Sequence, residues 1–171
     1  LGGRGFVLEP SEVVVLSSAP GAARLLYPLF NGQDIVGRSR GLYVVDAFGL
    51  SESQLRDSAP AIWQRLNDRV RPEREVNLDP RVRSRWWLFR RSNEQLREAT
   101  AGLSRFIVTC ETAKHRTFTF LSRESRPEHK LVVLAHDDSF LLGCVSSVPH
   151  LIWATAAGAT LEDRPVYVKS T

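Results

Sequence analysis

Arg105-Phe106-Ile107-Val108-Thr109-Cys110, a polar turn, and Arg116-Thr117-Phe118-Thr119-Phe120-Leu121 are the stretches that decide the fold class. The first is a short apolar run rich in β-branched and aromatic residues. The second alternates polar with aromatic, the pattern of a half-buried strand. Together they predict a hairpin or two neighbouring strands. Leu131 to Ala135 predicts another strand. Asp138-Ser139 can cap a helix over residues 140–145, and Ser147-Val148-Pro149 can open a second one closed by Gly158.

Upstream, Leu42-Tyr43-Val44-Val45 reads as a strand, and Val13-Val14-Val15-Leu16 as either a strand or a helical turn. Asn31-Gly32 is a turn signal, and residues 17–23, with Pro20-Gly21, read as a loop. Ser51-Glu52-Ser53-Gln54 and Ser92-Asn93-Glu94-Gln95 both match the capping box, which predicts helices starting there, the second ending near Gly102. Pro60 suits the first position of a further helix, in which Ile62, Leu66 and Val70 share one face with Arg65 and Arg69 beside it towards solvent. Residues 71–85, interrupted by Pro72 and Pro80, predict a long basic loop. Trp86-Trp87-Leu88-Phe89 reads as a short strand or loop anchored in the core. Strands interleaved with helices give a mixed α/β (α+β) domain, with a twisted mixed or antiparallel sheet flanked by helices.

The 171 residues suit one domain able to bury its own core. With 43% hydrophobic and 25% charged residues the composition is that of a globular protein. The longest uncharged run, 141–160, is broken by glycines, serines, Pro149 and His150, so it predicts two short packed helices and no membrane partner. The chain opens Leu1-Gly2-Gly3-Arg4, without a signal segment, and Gly2 to Gly5 reads as a linker end. There is no Met, and the expectation is a cytoplasmic fragment of a larger polypeptide. Cys110 and Cys144 lack the spacing of a metal or redox motif and predict two reduced thiols in a core.

Charge is unevenly distributed. Net charge is +4, and of 23 basic residues only Lys114, Lys130 and Lys169 are lysines. Residues 65–91 hold nine arginines (65, 69, 71, 74, 81, 83, 85, 90 and 91) against Asp68, Glu73, Glu75 and Asp79, a local excess of +5. Such clustering suits a phosphate-rich partner, and the planar guanidinium matches phosphate and guanine in a bidentate way. A solvated basic loop is the plainer explanation.

Catalytic motifs are scarce. HExxH and the phosphate-binding Gly-x-x-x-x-Gly-Lys loop do not occur, and the four histidines are not spaced as metal ligands. Glu128-His129-Lys130 has the Glu-x-Lys spacing of many metal-dependent nucleases, with Asp137-Asp138 as further acids, so a small nuclease domain is one alternative. A protein-interaction domain that meets acidic partners is another. Two polar segments combine donors and acceptors: Glu111 to Arg116, and Leu161-Glu162-Asp163-Arg164-Pro165. Arginine can donate twice to guanine O6 and N7, and a carboxylate can accept from cytosine N4, so such loops can read a G·C pair.

Seven stretches, in one order, carry a family resemblance: Tyr27-Pro-Leu-Phe-Asn-Gly-Gln-Asp34, Tyr43-Val-Val-Asp-Ala-Phe-Gly-Leu-Ser51, Val70-Arg-Pro-Glu-Arg74, Trp86-Trp-Leu-Phe89, Phe106-Ile-Val-Thr-Cys-Glu-Thr-Ala-Lys-His-Arg116, Leu142-Gly-Cys-Val-Ser-Ser-Val-Pro-His-Leu-Ile-Trp153 and Leu161-Glu-Asp-Arg-Pro-Val-Tyr167. They resemble the target recognition domain of MmeI-like (type IIL) restriction-modification enzymes and related N6-adenine DNA methyltransferases. The resemblance implies that residues 1–171 are one DNA target recognition domain, not catalytic by itself. The partners it implies are double-stranded DNA and a methyltransferase domain of the same bacterial polypeptide. That domain would bind S-adenosylmethionine; no cofactor and no metal is expected in this fragment. The family's catalytic Pro-Pro signature is absent here. Base-reading is implied for Glu162, Asp163 and Arg164, with Arg116 and His115 as further candidates. Phosphate contacts are expected from Arg71, Arg74, Arg81, Arg83, Arg85, Arg90, Arg91 and Lys114. Trp86 and Trp87 are expected in the core, because a duplex offers no free base faces to stack on.

Overall fold

A computed structural model describes residues 3–167. In chain order the elements are β1 (Val7–Leu8), α1 (Pro10–Ser17), β2 (Leu26–Phe30), α2 (Gly32–Val36), β3 (Tyr43–Val45), α3 (Glu52–Ser58), α4 (Pro60–Arg69), α5 (Arg71–Glu75), α6 (Pro80–Ser84), α7 (Glu94–Thr100), β4 (Arg105–Cys110), β5 (Phe118–Ser122), β6 (Arg126–Pro127), β7 (Leu131–Leu134), α8 (Ser139–Ser146), α9 (Val148–Ala157), β8 (Thr160–Leu161) and β9 (Arg164–Pro165). The fold is α+β with antiparallel strands. The chain divides into two compact units: one runs to Leu29 and resumes over Gly41–Ser92, the other holds Phe30–Arg40 and everything from Asn93 on.

The first unit packs helices around β1, β3 and β2. β3 lies between its neighbours, with Val44 opposite both Val7 and Tyr27. Ile62 and Leu66 of α4 and Val70 at its C-cap, four residues apart, are fully buried or nearly so, against Phe6, Leu8, Val44, Val45, Leu55 and Trp86. Each such burial stabilises the fold by roughly 1.5–3 kcal/mol. Ser51 accepts from the Gln54 amide while Gln54 reaches back to the Ser51 amide, so the expected capping box starts α3. Trp86 meets Trp63 and Trp87 edge to face, with centroids 6.4 and 6.0 Å away, and Trp87 donates to the Leu50 carbonyl, so both tryptophans are core residues as expected. Gly21 sits at φ +69°, and a Cβ there would lie 1.9 Å from the Ser58 carbonyl oxygen.

Of the two readings open for Val13-Val14-Val15 the helical one holds, because Pro10 takes the first turn of α1 and the Glu9 amide donates to the Glu12 carboxylate. Other local readings change. Residues 71–85 are not a loop: Pro72 and Pro80 occupy first-turn positions of α5 and α6, where a missing N–H leaves no bond unmade. Asp79 caps α6 by accepting from the Arg81 amide at 3.0 Å. Asn31 starts α2 rather than making a turn; its side chain accepts from the Gln33 and Asp34 amides. Asn93, left-handed at φ 52°, is the N-cap residue of α7, and its own side chain makes no capping bond.

In the second unit β4 lies between β5 and β7, with Ile107 opposite Phe120 and Leu134. Phe106 to Cys110 are all buried, which explains a continuous apolar run rather than an alternation. Phe106 and Val108 face Leu121, Val133, Phe30 and Ile35. Ile107 faces Phe118, Leu134, Val145 and Leu151, so α8 and α9 cover that side. Asp138 caps α8 and Ser147 caps α9, as expected. The two helices are bent by 61° at Ser147, and among the described residues no single helix is long and apolar enough to cross a membrane. Both cysteines are free; Cys110 is buried, whereas Cys144 is exposed rather than in the core.

Candidate nucleic-acid interface

The arginine-rich segment belongs to the first unit, and its side chains meet three fates. Some close ion pairs. Arg65 does not face solvent: it donates to Glu12 at 2.8 Å and to the Val7 carbonyl at 2.9 Å, and its side chain is only 8% exposed. Arg69 joins the same carboxylate at 2.9 Å. The hydrogen bond from Arg65 holds the Glu12 carboxyl at about 2, far below its ordinary range. Arg71 pairs with Glu75 at 2.7 Å, reaches the Asn67 side chain, and lies over the Trp86 ring.

Arg74 has the second fate. It is buried, with its guanidinium 5.4 Å from the Phe6 ring centre. Burial pushes its pKa down. Arg74 is therefore built into the fold and not placed to meet a phosphate, while Arg71 stays half-exposed and is already paired with Glu75. The remainder have the third fate. Arg81, Arg85 and Arg91 are exposed, with no carboxylate in ion-pair range among the described residues. Arg83 is exposed and donates to the Asn77 carbonyl, and Arg90 stands 4.0 Å from Asp79. Arg85 also lines a shallow open pocket with Ser51, Ser84 and Trp87.

The two polar segments lie in the second unit, and the structure brings them together. β8 and β9 form a hairpin with a two-residue connection, Glu162-Asp163, in which Glu162 takes the left-handed region at φ 56°. The segment after it is zipped to the β4–β5 loop. Thr112 bridges to Val166, the Tyr167 amide donates to the Glu111 carbonyl at 2.7 Å, and the Ala113 amide donates to the Pro165 carbonyl at 3.4 Å. Gly158 permits the turn into β8, because a Cβ there would lie 2.5 Å from the Val166 carbonyl oxygen. Glu162, Asp163 and Arg164 are exposed on the hairpin, Arg164 being 3.7 Å from Asp163. Lys114 and His115 are exposed on the adjoining loop. The geometry presents two carboxylates, a guanidinium, an ammonium and an imidazole on two joined loops, a set able both to donate to and accept from base edges.

Arg116 departs from its expected role. Its Nη1 donates to the Cys110 carbonyl, its Nη2 donates to the Pro165 carbonyl at 2.9 Å, and its guanidinium lies 5.2 Å from the Tyr167 ring centre. Desolvation pushes the Arg116 pKa down and the Tyr167 pKa up. Sequence reasoning gave no role to the rings beneath the hairpin. Phe118 meets both His150 and Tyr167 edge to face, and His150 Nε2 stands 3.2 Å from the Tyr167 hydroxyl. Tyr167 closes the last of the seven quoted stretches, which is the one sequence signal that pointed to it.

The nuclease alternative finds its residues dispersed. Lys130 pairs with Glu111 at 3.5 Å rather than working with Glu128, and Asp138 is occupied as a helix cap. Among the described residues no three His, Cys, Asp or Glu side chains gather as metal ligands.

No family model and no curated protein matches the sequence. Among solved structures, the chain is similar to a type IIL restriction-modification enzyme, MmeI, in complex with DNA. The TM-score is 0.71 at 15% identity, over 97% of this chain and 22% of that one. The likeness establishes a shared fold with about a fifth of that enzyme's chain.

Proposed function

We propose that this chain is a sequence-reading module for double-stranded DNA, without catalysis of its own, within a larger bacterial restriction-modification or N6-adenine methyltransferase polypeptide. The observation that carries the reading is the fold shared, along almost the whole chain, with part of a restriction-modification enzyme whose structure contains DNA. Two features support it. Arg81, Arg83, Arg85, Arg90 and Arg91, with Lys114, are available to neutralise phosphates and set register. Glu162, Asp163, Arg164 and His115 stand exposed on two joined loops with the chemistry to read a G·C pair. The chemistry would belong to a partner domain of the same polypeptide, which binds S-adenosylmethionine and flips the target adenine. Such a module works in the cytoplasm, where bacterial DNA lies.

The test is repeated selection of the 171-residue chain on a pool of duplexes with a randomised centre. A reproducible consensus is expected. Retention of duplexes with no enrichment leaves a basic protein that does not read sequence, and no retention at low salt removes DNA as the partner.

A further inference from the structure

The Arg116 guanidinium touches both halves of the joined loops through side-chain donors. It reaches the Cys110 carbonyl, where β4 ends, and the Pro165 carbonyl, in β9. Its flat face rests on Tyr167, whose amide already bonds Glu111 on the other side of the seam. Tyr167 is held in turn by Phe118 and His150. No carboxylate lies within ion-pair range of Arg116 among the described residues; its charge meets two carbonyl dipoles, the Thr109 hydroxyl at 3.4 Å and the Tyr167 ring. Such a half-buried cation is hard to justify as a stabiliser, because taking it out of water opposes folding. It does define a position: the two carbonyls lie on segments 55 residues apart, and a rigid fork of donors suits them where a flexible ammonium does not. β8 and β9 are only two residues each, and the hairpin they form is too small to hold its own geometry.

We infer that Arg116 is a positioning residue, a latch that fixes the Glu162-Asp163-Arg164 hairpin against the β4–β5 loop and so determines sequence discrimination without touching a base. This rests on the DNA-reading proposal above. The physical need is strict, since base-reading groups must be held to within about 0.5 Å of the productive geometry to discriminate.

The test combines two readouts on Arg116→Leu and, because that variant can misfold, on Arg116→Lys, which keeps the charge and loses the fork. Amide hydrogen exchange followed by NMR needs no DNA. Loss of charge-assisted bonds should speed exchange at Tyr167 and Ala113 by roughly tenfold or more, with Val108 in the central strand within about twofold of the parent chain. Selection on the randomised duplex pool should then flatten the consensus at the positions that Arg164→Ala also loses, while binding to bulk duplex changes by less than about twofold. Unchanged exchange at Tyr167 and Ala113 overturns the latch. An unchanged consensus despite faster exchange overturns its part in discrimination. Equal weakening on every duplex, with unchanged exchange, makes Arg116 a phosphate contact instead. Failure of the parent chain to enrich any consensus is a different result: it removes the DNA-reading proposal itself and this inference with it.

Discussion

Replacing Arg81, Arg83 and Arg85 together by alanine removes three exposed guanidiniums that make no ion pair among the described residues. Counting Arg90, Arg91 and Lys114 as well, up to six cations are available to DNA phosphates. Each neutralised phosphate releases about 0.9 of a counterion, so log K for duplex binding should fall against log salt with a slope of about −5. The triple variant should lose about 2.7 of that slope. Between about 50 mM and about 200 mM salt, the parent affinity should drop by roughly a thousandfold and that of the variant by only about twenty-fivefold. Fluorescence anisotropy of a labelled duplex in a salt series measures both slopes. Arg71→Ala is the matched control: Arg71 is already neutralised by Glu75 at 2.7 Å, so its removal should leave the slope within about half a unit of the parent value. If the control and the triple variant change the slope equally, the division of these arginines into internal and available groups is wrong. A slope that does not respond to the triple variant removes this segment from the DNA face.

Arg164→Ala should cost about 1–3 kcal/mol on duplexes carrying the preferred base at one position and almost nothing on others, as measured by competition between single-base variants. Gly21→Ala forces a Cβ into the Ser58 carbonyl at a backbone angle of +69°, and should lower stability by at least about 1–3 kcal/mol in denaturant unfolding. The depressed Glu12 carboxyl ties stability to acid: its contribution is complete above pH 4.5, its ordinary value, and is lost as pH falls towards about 2. Arg65→Leu should remove the largest share of that pH dependence in acid unfolding titrations, leaving what the Glu9 amide and Arg69 supply. A thiol reagent should label Cys144 rapidly in the native protein and leave Cys110, whose pKa burial raises, until unfolding; mass spectrometry of the labelled peptides reads the order.

Four of the strands, β3, β4, β5 and β7, and most helix starts were legible because their causes are local. Ser51 with Gln54, Asp138 and Ser147 cap neighbours two or three residues away, and the Phe106–Cys110 run needs only its own apolar side chains to become a buried strand. Pro72 and Pro80 misled because a proline stops one helix and starts another, and only the following residues decide which. The arginine cluster was visible as composition, but its division was not. Arg65 is withdrawn by Glu12, 53 positions earlier, and Arg74 is placed over Phe6 by the packing of α5. The candidate site shows the same boundary. Glu162 to Arg164 lie within one short stretch, whereas the fate of Arg116 depends on Pro165, 49 residues later, which spacing along the chain does not reveal.

The path of the chain through its two units limits how such a protein can be taken apart. The main chain leaves the first unit after Leu29, returns at Gly41 and leaves again after Ser92. A shortened version beginning at Asn93 would keep β4, β5, β7 and the hairpin, yet would lack Phe30 and Ile35, which cover Phe106 and Val108. That bare strip would invite aggregation. Altering what the hairpin recognises is therefore a matter of single substitutions or of grafting a few residues at its tip, and exchanging the C-terminal half between proteins would require carrying the 30–40 segment with it.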